Sequence, residues 1–316
     1  MRDPHPSPPP QAGEGSARVG WGVLGAAWIA GRAVLPAIAA SRNGRLVSIA
    51  SRDAERARKL AGEHSIERVA ADYDAVLADP DVDAVYIPLV NNLHLEWTER
   101  AFAAGKHVLC EKPLGMNARE AERMAESSAR AGLLLMEAFM YRFHPRPRAF
   151  VEGLRGKDVL HLHSTFGFRE ADRANYRMRR ELGGGALLDV GCYTVNAARW
   201  ILGEPEVVLA QATIDPEAHV DVSTGALLKF AGGATASVWC SFESGEDQRL
   251  IVVTRDDGTS ALERPFSAWR DPDDPYQLMV ESFADSILEG TPVELPLDDT
   301  IANMRVLDRI REAAGF

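Results

Sequence analysis

The sequence has few cysteines, no long apolar run and no familiar metal-binding motif. Its three cysteines, Cys110, Cys192 and Cys240, are far apart and show no C-x-x-C spacing, which is typical of small core residues in a reducing compartment. No uninterrupted apolar stretch approaches the roughly 18 residues that would indicate a membrane span. The lack of an H-E-x-x-H motif or a His/Cys cluster argues against zinc. We therefore expect a cytoplasmic protein without a metal.

Acidic residues outnumber basic residues in this sequence. Lys and Arg number 35 against 46 Asp and Glu, so the formal net charge is −11. Binding to nucleic acid requires a basic face that neutralises phosphates, and this balance argues against it. An acidic surface still permits a local basic pocket for a phosphorylated cofactor.

Residues 1–17 differ in kind from the rest of the chain. They hold five prolines and two glycines but contain neither the apolar core of a signal peptide nor a twin arginine. With almost nothing to bury, the segment is predicted to be a disordered tail. The alternative is a polyproline arm that binds a partner subunit.

The first domain is predicted to span residues 18–140. Short apolar strands alternate there with helices of about ten to fifteen residues, which is the signature of a parallel sheet in a Rossmann domain. The predicted strands are 19–24, 46–50, 83–89, 106–110 and 133–137.

The pattern changes over residues 141–316. Longer segments alternate polar and apolar residues and are separated by turn residues, which predicts an α+β domain with a large, mainly antiparallel open sheet. The predicted strands are 158–168, 207–214, 220–230, 234–242 and 249–254, and the predicted helices are 186–202, 276–288 and 298–313. One sheet face would pack on helices and the other is a candidate for pairing with a second subunit. The last helix could pack back on the first domain.

A glycine-type nucleotide turn follows the first predicted strand. The run Gly25-Ala26-Ala27-Trp28-Ile29-Ala30 has small residues at positions 25, 27 and 30. A dinucleotide turn needs them for a sharp bend, for close approach to pyrophosphate and for helix–strand packing. Gly25, Ala27, Trp28 and Ile29 are therefore predicted to bind a cofactor. Because only the first position keeps glycine, a plain strand–helix turn is the alternative.

The end of the second strand indicates which nucleotide binds. An acidic residue there would bind the ribose 2′-hydroxyl of NAD, but in Ser51-Arg52-Asp53 the aspartate is better explained as a helix cap. Ser51 can donate to a 2′-phosphate, and Arg52 can neutralise it and stack on adenine. The pair predicts NADP rather than NAD, with a solvated surface arginine as the alternative for Arg52.

Two further features are candidates for the chemistry. Glu111-Lys112-Pro113 follows an apolar run, which places an ammonium at the carboxyl edge of the sheet, where ligands bind in open α/β folds. Asp189 and Tyr193 lie four residues apart on one face of a predicted helix, and Asn196 extends that stripe. A tyrosine that only packs against the sheet is the alternative for Tyr193. No tyrosine has a lysine four residues on, which argues against a short-chain dehydrogenase.

Taken together, these residues resemble the Gfo/Idh/MocA family of oxidoreductases, from position 19 to the C-terminus. The most similar branch contains D-xylose 1-dehydrogenases and dihydrodiol dehydrogenases, which implies an NADP-linked enzyme acting on a sugar or diol. It also implies a homodimer that forms through the C-terminal sheet. The motifs that carry the resemblance are Gly25-x-Ala27-x-x-Ala30, Tyr86-Ile87-Pro88, Asn91-x-x-His94, Glu111-Lys112-Pro113 and the run from Gly183 to Tyr193.

The resemblance assigns roles to these positions. Tyr193 would give or take a proton, with Lys112 near its phenol lowering its pKa and hydrogen-bonding the substrate oxygen, while partial burial lowers the pKa of Lys112. Asp189 would orient a sugar hydroxyl. Which of Lys112 and Tyr193 carries the proton is left open, and so is the direction of reaction. Where part of the family has an acid/base histidine, this chain has Asn196.

The remaining predicted ligands divide between cofactor and substrate. Pro88, Asn91, His94 and Glu111 are expected on the nicotinamide side, with an exposed helix N-terminus as the alternative for His94. Asn196, Arg177, Phe168 and Tyr276 are expected at the substrate, as are, less specifically, Asn175 and Trp239. Two other functions stay open: an NADP-dependent sugar sensor without turnover, and an oxidoreductase that never releases its nucleotide.

Overall fold

The structure is a computed structural model that describes residues 18–267 and 272–316. The segment 1–17, and with it the predicted tail, lies outside these ranges. Within them, no helix is both long and apolar enough to cross a membrane. The same ranges contain no group of three His, Cys, Asp or Glu side chains placed to hold a metal ion.

A six-stranded parallel sheet forms the core of the first domain. Its strand order is β3-β2-β1-β4-β5-β6, and every neighbouring pair is parallel. The order reverses at β1 and β4, where the carboxyl ends of the strands open a crevice suited to a dinucleotide. The predicted Rossmann fold is confirmed. The strands are β1 Val19–Leu24, β2 Gly44–Ala50, β3 Arg68–Val69, β4 Ala84–Ile87, β5 His107–Cys110 and β6 Leu135–Glu137.

Helices pack against this sheet, and β1 is buried along its whole length. The first helix contains a π-helical segment, Ala30–Val34, before it continues as α1. Asp53 caps α2, because its carboxylate accepts hydrogen bonds from the backbone of Glu55 and Arg56, both at 3.1 Å. The helices are α1 Leu35–Ala40, α2 Ala54–His64, α3 Tyr73–Leu77, α4 His94–Ala103 and α5 Ala118–Ala131.

A second six-stranded sheet forms the other domain, in the order β12-β11-β7-β10-β9-β8. All neighbours are antiparallel except β7 and β10, so the predicted mainly antiparallel sheet is confirmed. The sequence predicted neither the parallel pairing of β7 with β10 nor strand β12. Strand β12 was missed because it is a short edge strand with little apolar alternation. The strands are β7 Val159–Arg169, β8 Pro205–Ile214, β9 Asp221–Phe230, β10 Thr235–Ser241, β11 Glu243–Thr254 and β12 Gly258–Glu263.

Helices cover one face of this sheet and leave the other open. The helix that starts before Cys192 has a π-helical segment, Leu187–Gly191. Val207, Leu209 and Leu227 remain exposed on the uncovered face, and Leu209 pairs with Leu227 across β8 and β9. The helices are α6 Pro145–Glu152, α7 Cys192–Leu202, α8 Pro275–Glu289 and α9 Leu297–Ala314.

The two C-terminal helices return to the first domain. In α9, Asp308 accepts a hydrogen bond from the backbone of Ala118 at 2.8 Å, and Arg311 donates to the carbonyl of Met116 at 2.7 Å. Asn43 donates to Asp285 of α8 at 2.7 Å. The return of the last helix, which the sequence left open, is therefore present in the structure.

Candidate active site

A cavity of about 1010 Å³ runs along the carboxyl edge of the first sheet and reaches the second domain. The turn after β1 lies at one end, and Asp189 and Tyr193 lie at the other. Ligand pockets typically measure roughly 300–1,000 Å³, so the space suits a large ligand with a small second molecule. Its walls come from both domains.

The predicted nucleotide turn forms one end of the cavity. Gly25, Ala27, Trp28 and Ile29 all line it. Gly25 has a φ of +121°, and a side chain there would meet the Leu89 side chain at 3.0 Å, so this bend favours glycine. Trp28 is 70% exposed, and the Arg32 guanidinium lies 5.4 Å from the centroid of its ring system.

Basic and hydroxyl groups gather near that end. Ser51 and Arg52 line the cavity, as does Arg56, which the sequence reasoning missed. The Ser51 hydroxyl accepts a hydrogen bond from the backbone of Asp53 at 3.2 Å, so its own hydrogen can still be donated. The signal for Arg56 was available: it lies four residues after Arg52, in the first turn of α2.

The side predicted for nicotinamide contains three of the four expected residues. Pro88, Asn91 and Glu111 line the cavity. Asn91 also joins the domains, because its amide donates to the carbonyl of Gly183 at 2.8 Å. Glu111 accepts a hydrogen bond from the Tyr86 hydroxyl at 2.7 Å, and burial raises the pKa of its carboxyl.

His94 does not fit either reading of the sequence. It is fully buried at the start of α4 and lies outside the cavity lining. Its ring nitrogens lie 3.0 Å from the carbonyl oxygens of Pro113 and Leu89, and burial lowers its pKa. His94 therefore supports two cavity loops from beneath and is neither a cavity residue nor an exposed one.

Lys112 and Asp189 form an ion pair between the domains. The Lys112 ammonium donates to the Asp189 carboxylate at 3.0 Å and to the Asp189 backbone carbonyl at 2.7 Å. The other carboxylate oxygen accepts from Nε of Arg177 at 2.5 Å. The peptide bond between Lys112 and Pro113 is cis. All three charged side chains line the cavity.

The charges around this pair determine its protonation. Burial is the largest single influence on Lys112 and would lower its pKa, but Asp189, Tyr193, Cys192 and Tyr176 together outweigh burial and hold that pKa well above its ordinary value. Burial by itself would raise the pKa of Asp189, yet Lys112 and Arg177 lower it to about 2. The sequence predicted a lowered pKa for Lys112 because of burial. The net pKa is raised instead, because a buried counter-charge is present.

Tyr193 lies beside Lys112 but is not made acidic by it. The ammonium is 5.1 Å from the ring centroid. The ring packs among Phe139, Phe166 and Phe266 at centroid distances of 5.2–5.5 Å. Burial raises the pKa of the phenol well above its ordinary value, and Lys112 offsets only part of that rise. The expected influence of Lys112 is present, but the expected net lowering is wrong.

Asn196 is not a substrate residue in this structure. Its side chain is buried away from the cavity lining, and its carbonyl oxygen accepts hydrogen bonds from the hydroxyl of Tyr141 and from Arg142. The stripe argument failed at Asn196 even though Tyr193 and Asn196 both lie in the regular helix α7, because the Asn196 side chain faces Tyr141 and Arg142 and not the cavity. Asp189 and Tyr193 nevertheless line the same cavity.

The other predicted substrate residues are mostly in place. Arg177, Phe168, Tyr276 and Asn175 line the cavity, whereas Trp239 lies outside that lining and donates to the Ser223 hydroxyl at 3.1 Å. Sequence reasoning missed several residues that only the folding of the second sheet brings to this wall. They are Phe166, Tyr176, Glu246, Arg264, Phe266 and Ser267.

The glycine run before α7 lets the loop that carries Arg177 approach Asp189. Gly185 donates its backbone N–H to the carbonyl of Arg177 at 2.9 Å. A side chain at Gly184 would lie 2.4 Å from that same carbonyl oxygen, closer than atoms can pack. This close approach, rather than an unusual backbone angle, is why position 184 requires glycine.

Comparison with known proteins identifies relatives along nearly the whole chain. The model described as "Oxidoreductase family, NAD-binding Rossmann fold" of the GFO/IDH/MocA proteins matches residues 19–139, and the GFO/IDH/MocA C-terminal domain matches residues 152–259. The D-xylose 1-dehydrogenase (NADP(+)) 2 of Haloferax volcanii is 39% identical over 93% of this chain and 97% of its own.

Solved structures show the same similarity. A 3-ketoreductase from Actinomadura kijaniata, in complex with NADP and TDP-benzene, superposes with a TM-score of 0.85 at 30% identity over 94% of this chain and 98% of its own. An aldose–aldose oxidoreductase from Caulobacter crescentus, complexed with glycerol, superposes with a TM-score of 0.83 at 28% identity over 94% and 97%.

Substitution of Gly184 tests the close packing beside Arg177. We expect Gly184→Ala to lower the free energy of unfolding by about 1–3 kcal/mol, because the added methyl group forces the two backbone segments apart. Gly62 in α2 is the matched control, since nothing lies within 4 Å of a side chain there. Gly62→Ala should leave stability unchanged or raise it. Urea unfolding measures both, and a Gly184→Ala protein as stable as the wild type would contradict this account.

Proposed function

The chain belongs to the Gfo/Idh/MocA family of oxidoreductases, and on that premise we propose that it transfers a hydride between NADP and a sugar or vicinal diol. The reacting carbon is a carbinol in one direction and a carbonyl in the other. An aldose such as D-xylose is the substrate we favour, in line with the activity named for the Haloferax volcanii relative. The observation that carries the proposal is the Lys112 ammonium, held by Asp189 in the cavity wall beside Tyr193.

The residues at the far end of the cavity fit NADP. Ser51, Arg52 and Arg56 offer a hydroxyl donor and two guanidinium groups to a 2′-phosphate. The nearby carboxylate of Asp53 caps α2, so we do not assign it to the ribose 2′-hydroxyl that an acidic residue would bind in an NAD enzyme. When bound, the cofactor supplies the nicotinamide carbon that gives or accepts the hydride.

Lys112 is suited to hold the substrate oxygen. An ammonium has three N–H donors, and Asp189 takes two of them through its backbone and carboxylate oxygens. The third can donate to a carbonyl or hydroxyl oxygen in the cavity. Because the charge is compensated by Asp189, the ammonium can stay ionised in a buried wall and stabilise negative charge that develops on that oxygen.

Proton transfer falls to Lys112 or Tyr193. The pKa of each group stands well above its ordinary value, in Lys112 because Asp189 and the neighbouring titratable groups together outweigh burial and in Tyr193 because burial dominates. Both groups therefore hold their protons at neutral pH, which suits protonation of a carbonyl oxygen during reduction. Oxidation of an alcohol needs one of them deprotonated and should accelerate as pH rises.

Aromatic side chains give the substrate end a partly apolar wall. Phe166, Phe168, Phe266 and Tyr276 line the cavity around Tyr193, and the rings of Phe166 and Phe266 stack at 5.5 Å. Such faces can pack on the C–H groups of a sugar ring and exclude water from the hydride path.

The non-catalytic sensor is the less favoured alternative, because both groups that can transfer a proton lie in the cavity. An enzyme that retains its nucleotide through successive turnovers is a second alternative. The purified protein would then show the absorbance of bound dinucleotide. It would oxidise one sugar only if a second sugar were reduced, because the bound cofactor must be reoxidised in place.

Reduction of NADP⁺ by the purified protein tests the proposed function. We expect turnover with D-xylose or a related aldose, or with a trans-diol, to be faster with NADP⁺ than with NAD⁺ and to rise between pH 7 and about 10, since a raised pKa delays deprotonation. Absorbance of the reduced nicotinamide measures the rate. Tight NADP⁺ binding without turnover on any of these substrates would favour the sensor.

Two variants test the roles of the reacting groups. We expect Lys112→Ala and Tyr193→Phe each to lower kcat by about 10²–10⁴-fold, the range for loss of a general acid or base. The dissociation constant for NADP⁺ should stay within about twofold, since binding rests mainly on the other end of the cavity. Near-wild-type turnover by both variants would reject the assignment, and the pH profile of whichever retains activity identifies the proton carrier.

Arg56 tests the binding of the 2′-phosphate. We expect Arg56→Ala to raise the KM for NADP⁺ by about 10–100-fold, the loss of one charge-assisted hydrogen bond, with little effect on the KM for NAD⁺. Arg58 is the matched control on the same helix, where it pairs with Glu55 outside the cavity lining. Arg58→Ala should change neither value. Equal effects of Arg56→Ala on both nucleotides would remove this residue from the phosphate site.

We further propose that the open face of the second sheet pairs with a second copy of the chain. Val207, Leu209 and Leu227 stay exposed there, and exposed apolar groups gathered on one face favour association. Sedimentation at micromolar concentration should give the mass of a homodimer, and Leu209→Lys should shift it to the monomer. A monomeric wild type would contradict the proposal.

A further inference from the structure

Arg177 and Lys112 hold the same carboxylate from two sides. Nε of Arg177 donates to one Asp189 oxygen at 2.5 Å, and the Lys112 ammonium donates to the other at 3.0 Å. The Asp189 side chain is only 6% exposed. Each carboxylate oxygen therefore has its own cationic partner, and the plane of the carboxylate is defined by two contacts.

Arg177 is itself fixed by its surroundings. Its guanidinium lies 3.8 Å from the Glu170 carboxylate and faces the ring of Tyr176 at 5.1 Å and that of Phe168 at 5.6 Å. Its backbone N–H donates to Asn175, and its carbonyl accepts from Gly185. A side chain restrained on this many sides is unsuited to swing towards a substrate.

We propose that Arg177 is a positioning residue: it holds the Asp189 carboxylate in the orientation that fixes the Lys112 ammonium, and it is not a ligand of the substrate. This inference rests on the proposed function, because it gives Arg177 a part in placing the group that binds the substrate oxygen. Without Arg177, one Asp189 oxygen would lose its partner and the carboxylate could rotate away from Lys112.

The charges around Asp189 show why a second cation matters. Glu170 compensates Arg177 at the far side, so positive and negative groups alternate from Lys112 through Asp189 and Arg177 to Glu170. Lys112 and Arg177 together overcome burial and keep the pKa of Asp189 at about 2. The titratable groups that act on Asp189 or lie beside it are Lys112, Glu111, Arg177, Tyr176, Glu170, Cys192, Tyr193 and Cys240.

Steady-state kinetics of Arg177→Gln test the proposal. We expect kcat to fall by about 10–100-fold, as for a small displacement of a reacting group, with the KM for the sugar within about twofold. We also expect the acid limb of the pH profile to move to higher pH, since Asp189 loses a cation that keeps it ionised. Arg177→Lys should recover part of kcat by restoring the charge. Arg179→Gln, an exposed arginine of the same loop, is the matched control.

A double-mutant cycle separates positioning from direct binding. If Arg177 acts through Asp189, Arg177→Gln should change kcat less than about twofold in an Asp189→Asn background. The reason is that Asp189→Asn has already removed the positioning of Lys112 that Arg177 supports. Additive effects would overturn the proposal. So would a higher KM for the sugar with kcat and the acid limb unchanged, because that result places Arg177 on the substrate.

A titration without turnover keeps this test independent of the proposed function. In protein labelled with ¹³C at aspartate carboxyl groups and saturated with NADP⁺, the Asp189 signal is assigned by its loss in Asp189→Asn. We expect its pKa to be higher in Arg177→Gln than in the wild type by about 1–3 pH units. An unmoved signal would overturn the positioning role, whereas a wild type that oxidises no sugar but shows this difference would reject only the proposed function.

Discussion

The ion pair between Lys112 and Asp189 is the contact on which the rest of the active site depends. Lys112 belongs to the turn after β5 in the first domain, and Asp189 belongs to the π-helical segment that opens α7 in the second. Both side chains are largely buried, and a buried charge without a partner is costly. Each domain therefore supplies the counter-charge that the other needs, and the reacting groups are aligned only where the two domains meet.

The two helices that begin at the cavity share an unusual local structure. Ala30–Val34 follows the nucleotide turn, and Leu187–Gly191 carries Asp189; both segments are π-helical. A π-helical turn holds one more residue than an α-helical turn, and such turns recur at functional sites. Asp189, inside the second of these segments, and Tyr193, just after it, both line the cavity, whereas Asn196, further along the regular helix α7, lies in the core.

Local pattern predicted most of the fold and part of the site. Most of the strands, the Asp53 cap and the bend at Gly25 follow from neighbours in sequence, so they could be predicted, whereas β3, β12 and the first six residues of β11 were not. The positions of His94 and Asn196 depend on which carbonyls and hydroxyls surround them after folding, and no spacing encodes that. The net pKa of Lys112 likewise required knowing that Asp189, 77 residues away, lies at hydrogen-bond distance. Phe266 reached the cavity only through the second sheet.

The return of α9 to the first domain has a consequence for synthesis on the ribosome. Asp308 and Arg311 bind the start of α5, and Arg305 pairs with Glu122 on the same helix. These partners in the first domain remain exposed to solvent until α9 has left the ribosome. The Rossmann sheet can form early, because domains generally fold as units with the N-terminal one first. Its outer surface, however, is completed only after translation of the final helix, so a nascent chain arrested before residue 297 would display an unfinished surface to chaperones and proteases.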